Sequence, residues 1–234
     1  MTEIQKDPTT HIQLSKASID LLRNFSTINK SILIEPGKML QTMSVNKNII
    51  AMGQIGERIP EQMSIYDLPL FLGALSLFKK PWLHFPDNKK VIIYDEDTKG
   101  KTVFYYSDPE IIVRPPDFNP NLPQVEIMFD LPQTDTQQLL QAAKVYGVED
   151  LCINGYANEY SICVRDKKNN TSNSFDITVG ETESEFAFNF KVENIKILPG
   201  AYDITCSQKN ISKFNHKTLD LVYFIALEPD STFD

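Results

Sequence analysis

The sequence predicts an α+β protein made of two similar domains, each with antiparallel sheets and two helices. Three observations carry this. Prolines crowd one segment near the middle of the 234-residue chain. The same helix–strand plan occurs on either side of that segment. The composition is ordinary for a globular protein: 41% hydrophobic and 23% charged residues are enough to build a core and argue against wholesale disorder. A chain of this length is one large domain or two of roughly 110 residues each.

Residues 107–124 read Ser-Asp-Pro-Glu-Ile-Ile-Val-Arg-Pro-Pro-Asp-Phe-Asn-Pro-Asn-Leu-Pro-Gln and hold Pro109, Pro115, Pro116, Pro120 and Pro123, five of the chain's 14 prolines. Proline offers no N–H to a sheet ladder and breaks helices. The segment therefore reads as an extended connector with polyproline character. At about 3.1 Å per residue it could run tens of ångströms. The expected division is an N-terminal domain at 1–106, the connector at 107–124 and a C-terminal domain at 125–234.

In the first half, residues 14–29 read as a helix. Leu14, Ser18, Leu21, Phe25 and Ile28 follow the 3-4 spacing of one face, with Leu22 beside it. Strand-like stretches follow, as at 31–40. A second helix is expected over 65–77, with Asp67 as N-cap and Pro69 in the first turn. Residues 82–106 read as strands. In the second half a helix is expected over 131–146, with Thr134 and Gln137 as a capping box. Strands follow at 152–165. A shorter helix is expected over 192–199, stopped by Pro199-Gly200, and then strands at 201–208 and 221–227. The plan thus repeats about 120 residues apart.

Composition excludes several classes. No apolar run approaches the roughly 18 residues of a membrane-spanning helix. The opening residues lack the apolar region of a signal peptide, so a cytoplasmic protein is expected. Cys152, Cys163 and Cys206 are odd in number and widely spaced, which does not suggest a disulfide framework. His11, His84 and His216 show no metal-ligand spacing, and no cofactor is expected. Phosphate-cradling glycine motifs and the G-x-S-x-G elbow are missing. Asp95/Asp97 and Glu181/Glu183 lie in charged, turn-like stretches and read as solvated surface. The formal net charge of −8 argues against a protein that grips nucleic acid by phosphate neutralisation alone.

The positive charges nevertheless have a pattern. Lys16, Arg23 and Lys30 are spaced by seven along the first helix and its end. Lys79 and Lys80 follow the second helix, Lys144 lies on the third, and Lys191 and Lys196 flank or lie on the fourth. The plain alternative is that lysines populate the solvated face of any amphipathic helix, and Asp20 interrupts the first stripe.

Longer stretches carry a resemblance. Leu14-Ser-Lys, Leu21-Leu-Arg-Asn-Phe-Ser-Thr-Ile-Asn29, Ile65-Tyr-Asp-Leu, Phe71-Leu-Gly-Ala-Leu-Ser-Leu77, Gln138-Leu-Leu, Ile153-Asn-Gly, Pro199-Gly-x-Tyr202 and the ending Ala226-Leu-Glu-Pro-Asp-Ser-Thr-Phe-Asp234 together resemble the sliding clamps of T-even-type phages. The resemblance is collinear from about Leu14 to the C-terminus. It is weakest in the connector and around residues 167–174.

The resemblance implies a fold like that of proliferating cell nuclear antigen: two clamp domains per chain, sheets outside, and two helices per domain lining the hole of a trimeric ring. It implies no catalysis. The implied partners are encircled duplex DNA, a DNA polymerase docking by its C-terminal peptide, a clamp-loader ATPase, a sigma-like factor and coactivator of late transcription, and two further copies of the chain, all in the infected bacterial host's cytoplasm. Lys16, Arg23, Lys30, Lys79, Lys80, Lys144, Lys191 and Lys196 are then expected to face DNA. Strands near 103–106 and 176–179 are expected to pair across subunits. A partner-peptide pocket is expected at Ile111, Val113, Pro115, Leu227 and Pro229, with the C-terminal strand close to the connector. For Ile111, Val113 and Leu227 the plain alternative is ordinary core. Two other classes compete. A DNA-modifying enzyme lacks a convergent catalytic group in the sequence. A β-rich viral structural or scaffold protein without DNA contact would be a monomer or dimer.

Overall fold

The computed structural model describes residues 7, 10–117, 121–122, 124–169 and 171–233. The chain forms two compact units, 1–116 and 117–234.

The first unit contains β1 (His11–Gln13), α1 (Lys16–Ile28), β2 (Ile32–Ile34), β3 (Gly37–Met43), β4 (Ile49–Ile59), β5 (Met63–Ile65), α2 (Leu68–Ser76), β6 (Trp82–Asp87), β7 (Lys90–Tyr94) and β8 (Lys101–Tyr105). Its strands are antiparallel, in the order β1-β6-β7-β8, with β2 paired to β5 and β3 to β4. The face expected from the 3-4 spacing is the buried one: Ser18, Leu21, Leu22, Phe25 and Ile28. The Ser15 side chain caps α1 by accepting from the Ser18 N–H. Glu57 on β4 secures the same turn, accepting from the Ser15 N–H at 2.7 Å and from the Ser18 hydroxyl. Burial opposes ionisation of Glu57, but those donors outweigh it and hold its pKa below the ordinary value. Asp67 caps α2 as expected, accepting from the Leu70 N–H at 2.8 Å. The helix starts three residues later than expected because Met63–Ile65 is a strand. Part of the connector also departs from expectation. Pro109–Ile111 is a 3-10 turn, with Asp108 accepting from the Glu110 N–H. Proline's fixed φ suits the first position of such a turn. Pro120 and Pro123 lie outside the described residues.

The second unit contains β9 (Ile127–Leu131), α3 (Gln133–Tyr146), β10 (Asp150–Tyr156), β11 (Glu159–Arg165), β12 (Phe175–Glu181), β13 (Phe186–Lys191), β14 (Tyr202–Ser207), β15 (Ile211–His216), β16 (Leu221–Ala226) and β17 (Thr232–Phe233). One antiparallel sheet runs β12-β11-β10-β13-β17, and β9-β14-β15-β16 follow one another in a second. Leu139 of α3 meets Leu151, Ile153 and Ile162 of the first sheet and Ile204 and Phe214 of the second in one apolar core. The expected capping box is absent. Pro132 occupies the N-cap without a side-chain bond, and the Thr134 hydroxyl donates to Asp135 instead. Gly147 ends α3 in the left-handed region at φ 65°, where glycine carries no steric penalty.

The helix expected over 192–199 does not form. Only Val192–Asn194 makes a 3-10 turn. Beyond it, the backbone of Leu198 is claimed by two buried tyrosines: its N–H donates to the Tyr223 hydroxyl at 3.0 Å and its carbonyl accepts from the Tyr202 hydroxyl. Burial pushes both phenols above their ordinary pKa, so they stay protonated. Ile195 and Ile197 both line the core, a two-residue spacing that belongs to extended chain rather than helix. Gly200 is forced by the same network. A Cβ there would lie 2.1 Å from Nε2 of His216, whose Nδ1 accepts from the N–H groups of Thr218 and Leu219. Gly200→Ala is therefore expected to cost about 1–3 kcal/mol by overpacking, read as a lower urea midpoint with an unchanged slope.

Candidate nucleic-acid interface

In the first unit α1, α2 and the segment leading from α2 to β6 line a cleft of 490 Å³. Its lining joins Lys16, Arg23, Lys79 and Lys80 to Leu72, Leu75 and Phe78. Four of the eight cations expected to face DNA thus converge on one concave surface. Lys16 is the first residue of α1, Arg23 lies two turns on, and the lysine pair follows α2. Asp95 fixes the pair's backbone, accepting from the N–H groups of Lys80 and Asp97 at 2.9 Å each. These donors hold its carboxyl below the usual range. The expectation that Asp95 is solvated surface is therefore corrected: it is 3% exposed and closes a turn. Asp97 is exposed, as expected.

Two cleft cations have carboxylate neighbours, Arg23 with Asp20 at 2.9 Å and Lys80 with Asp97 at 3.8 Å. Both pairs are exposed, and such pairs are worth about 0–1 kcal/mol, so they yield readily to phosphate. Lys30 is exposed beyond the end of α1 and outside the cleft lining.

The second unit differs. Lys144 is exposed on α3. Lys191, at the end of β13, is committed: its ammonium donates to Asp150 at 2.7 Å, and this bond raises its pKa. Asp150 is buried, and a buried carboxylate without its partner is costly. Lys196 is half-buried on the irregular stretch that replaces the expected helix.

The residues expected to bind a partner peptide fall into two groups. Ile111 is 55% and Val113 39% exposed, while Pro115 is buried. Leu227 is core of the second unit, its N–H donating to the Asn210 carbonyl at 3.0 Å, and Pro229 is exposed.

Among the described residues no group of three or more His, Cys, Asp or Glu could hold a metal ion, and no helix is long and apolar enough to cross a membrane. What the cleft offers is positive charge on a groove. That is the means of binding a phosphate backbone without reading bases.

Comparisons with known proteins place the chain in a family. Residues 15–95 match the family described as DNA polymerase processivity factor, and residues 128–229 match gp45 sliding clamp, C terminal. The sliding clamp of Vibrio phage KVP40 is 32% identical over 225 residues, spanning 93% of this chain and 99% of that protein. The chain belongs to the sliding-clamp family. The sliding clamp of Enterobacteria phage T4 is 29% identical, over 95% of this chain and all of that one. In fold the clamp resembles the A. fulgidus PCNA bound to the C-terminal region of FEN-1. The TM-score is 0.71 at 11% identity, covering 95% of this chain and 100% of that one. The expected fold is thereby established: two clamp-like domains with antiparallel sheets, here with one α-helix rather than two among the described residues of the second unit. The clamp is a DNA polymerase processivity factor and not an enzyme.

Sequence reasoning missed one feature of this clamp. Tyr66, Leu70 and Leu77 are 63%, 62% and 71% exposed on and beside α2. On α3, Val145 and Tyr146 are exposed too. The signal was present in Leu68-Pro-Leu-Phe-Leu-Gly-Ala-Leu-Ser-Leu77, which is apolar all round, more than one buried face requires.

Proposed function

We propose that this clamp works as a homotrimeric ring encircling duplex DNA in the cytoplasm of an infected bacterial host. One observation carries the reading: each unit ends a sheet on an open strand backed by a helix with exposed apolar side chains. In the first unit β8 pairs only with β7 among the described residues, exposes Val103 and Tyr105, and lies beside α2 through the Phe71–Phe104 ring contact. In the second unit β12 pairs only with β11 among the described residues, and α3 packs against both. Open edges and exposed apolar patches call for a partner. Joining β8 of one copy to β12 of the next is a head-to-tail contact, which consumes every such edge when it closes into a ring. Basic helices inside an acidic protein then give attraction that is local and sequence-independent.

In this reading a clamp-loader ATPase opens the ring, and the ring holds the polymerase on its template. Late-transcription factors, a sigma-like protein and a coactivator, use the same platform. The test is retention: loaded with its loader and ATP onto a nicked circle, the clamp stays bound, and linearising the circle releases it. Equal retention on both forms would refute encirclement.

The polymerase's C-terminal peptide is proposed to seat on the exposed apolar pair Ile111 and Val113. The A. fulgidus PCNA bound to part of FEN-1 and the H. pylori beta clamp bound to a DNA ligase peptide are precedents within the fold. Val113→Glu is expected to weaken peptide binding at least tenfold, since burying an unpaired charge costs well over about 1.4 kcal/mol. Calorimetry with the polymerase peptide reads this directly, and unchanged affinity would move the site elsewhere. Leu227→Glu is a poorer probe because Leu227 is core.

A further inference from the structure

The short strand β1 carries a feature that the clamp's work on DNA does not use. His11 stands directly opposite His84 on β6. Opposed residues of an antiparallel pair hold their Cβ atoms about 4.5–5.5 Å apart, so their side chains meet. Here the two imidazoles lie face to face, with ring centroids 4.2 Å apart and planes within 6° of parallel. Tyr94 of β7 packs edge-on against His11. The neighbouring Ile12, Leu83 and Phe85 are buried. Strand alternation puts both histidines on the other side of the sheet, where each is only half-buried. Their spacing along the chain carries no trace of this pairing, because strand register creates it.

The hydrogen bonds around His11 decide its tautomer. Thr10 Oγ1 lies 3.0 Å from His11 Nδ1. A hydroxyl has one proton to give, and that of Thr10 is directed to the Asp7 carbonyl at 3.4 Å. The contact with the ring is therefore donated by Nδ1–H, which leaves the lone pair on Nε2. A ligating histidine is held in just this manner: its other nitrogen donates to an oxygen that fixes tautomer and ring orientation. Neither ring nitrogen of His84 has a hydrogen-bond partner among the described residues. Whichever of them lies over Nε2 of His11 is thus available as a ligand.

We propose that His11 and His84 form a two-histidine chelate for a borderline divalent cation such as Zn²⁺, which clips β1 to β6. Imidazole nitrogen suits such ions. At a Zn–N length of about 2.0–2.1 Å, two nitrogens on a tetrahedral ion lie about 3.3 Å apart. Rings stacked at 4.2 Å reach that bite by leaning together at one edge. The protein supplies two ligands, since no group of three or more is present among the described residues, and water fills the remaining positions. The ion is accordingly exchangeable, unlike one in a structural site closed by four protein ligands. What it holds is an edge strand. β1 has three residues and pairs only with β6 among the described residues, and its last residue, Gln13, lines the cationic cleft.

The test is calorimetric titration of the full-length clamp with zinc chloride in a buffer that does not bind zinc. His11→Phe and His84→Phe each keep a ring in the stack and remove its ligand nitrogens. Loss of an outer-shell partner alone typically costs about 10–100-fold in metal affinity, so either substitution should weaken zinc binding at least about tenfold. The double variant should bind no more weakly than either single one, because a chelate fails when one arm is lost. Zinc should also slow amide hydrogen exchange in residues 11–13 of the wild type and leave both variants unchanged. Wild type that binds no zinc overturns the proposal, as does binding that survives either substitution. Losses that add in the double variant overturn it too, since they mean two imidazoles acting separately. Exchange slowed equally in wild type and variants would place the ion elsewhere and reject the clip.

Discussion

Changing Lys16, Arg23, Lys79 and Lys80 together to alanine is expected to flatten the salt dependence of clamp retention on DNA. The four converge on one cleft, so they can meet adjacent phosphates at the same time. Each neutralised phosphate contributes a slope of about −0.9 in log affinity against log salt. Four contacts per subunit correspond to roughly a hundredfold loss between about 50 and about 200 mM salt. The variant should lose most of that dependence and support much shorter products than wild type at low salt. The mass of the proposed trimer should not change, because all four residues are exposed and none holds core. Lys144→Ala alone should have a smaller effect. A quadruple variant with the wild-type salt slope would mean that the cleft does not face DNA.

The second large effect concerns ring closure. Val103→Asp with Tyr105→Asp is expected to convert the proposed trimer, about three times the 26.7 kDa chain, into monomer. Both side chains are exposed on the open strand β8 in the single chain, so the substitutions leave the fold of the first unit intact. Buried at a joint, each carboxylate would lose water without gaining a partner, at a cost of about 1–3 kcal/mol or more apiece. Every subunit carries one such joint, so a closed ring bears the penalty three times in the proposed trimer. Light scattering after gel filtration measures the mass. A trimer that survives would place the joint on a different edge, such as β3 or β9.

Several elements were legible because one local rule was sufficient. The 3-4 spacing of Ser18, Leu21, Phe25 and Ile28 marked the buried face of α1, and Asp67 marked the start of α2. Other elements failed for identifiable reasons. The longest strand, β4, has buried residues Ile49, Ala51, Gly53 and Ile55 at alternate positions. This pattern was readable but masked by two glycines and three polar side chains. The Thr134–Gln137 pair had the right spacing for a capping box, yet the chain enters the helix at Pro132. Asp95 looked like surface because its partners are backbone N–H groups, which carry no residue-type signature.

The candidate site divides along the same line. By itself the sequence determined that basic residues accompany the helices of an acidic, two-part chain, because charge and periodicity are properties of residue order. Only the tertiary structure decided which cations act together. Lys16 and Lys80 are far apart in sequence and share a cleft because α1 packs beside α2. Lys191 looked equivalent to them, but Asp150 claims it across a strand pair forty-one positions away in sequence. Lys196 left its expected helix because Tyr202 and Tyr223, both later in the chain, bind the backbone of Leu198. Helical spacing is a local preference worth a few tenths of a kcal/mol per residue. A buried hydrogen bond left unmade costs about 1–3 kcal/mol, so wherever the two conflict the long-range contact prevails.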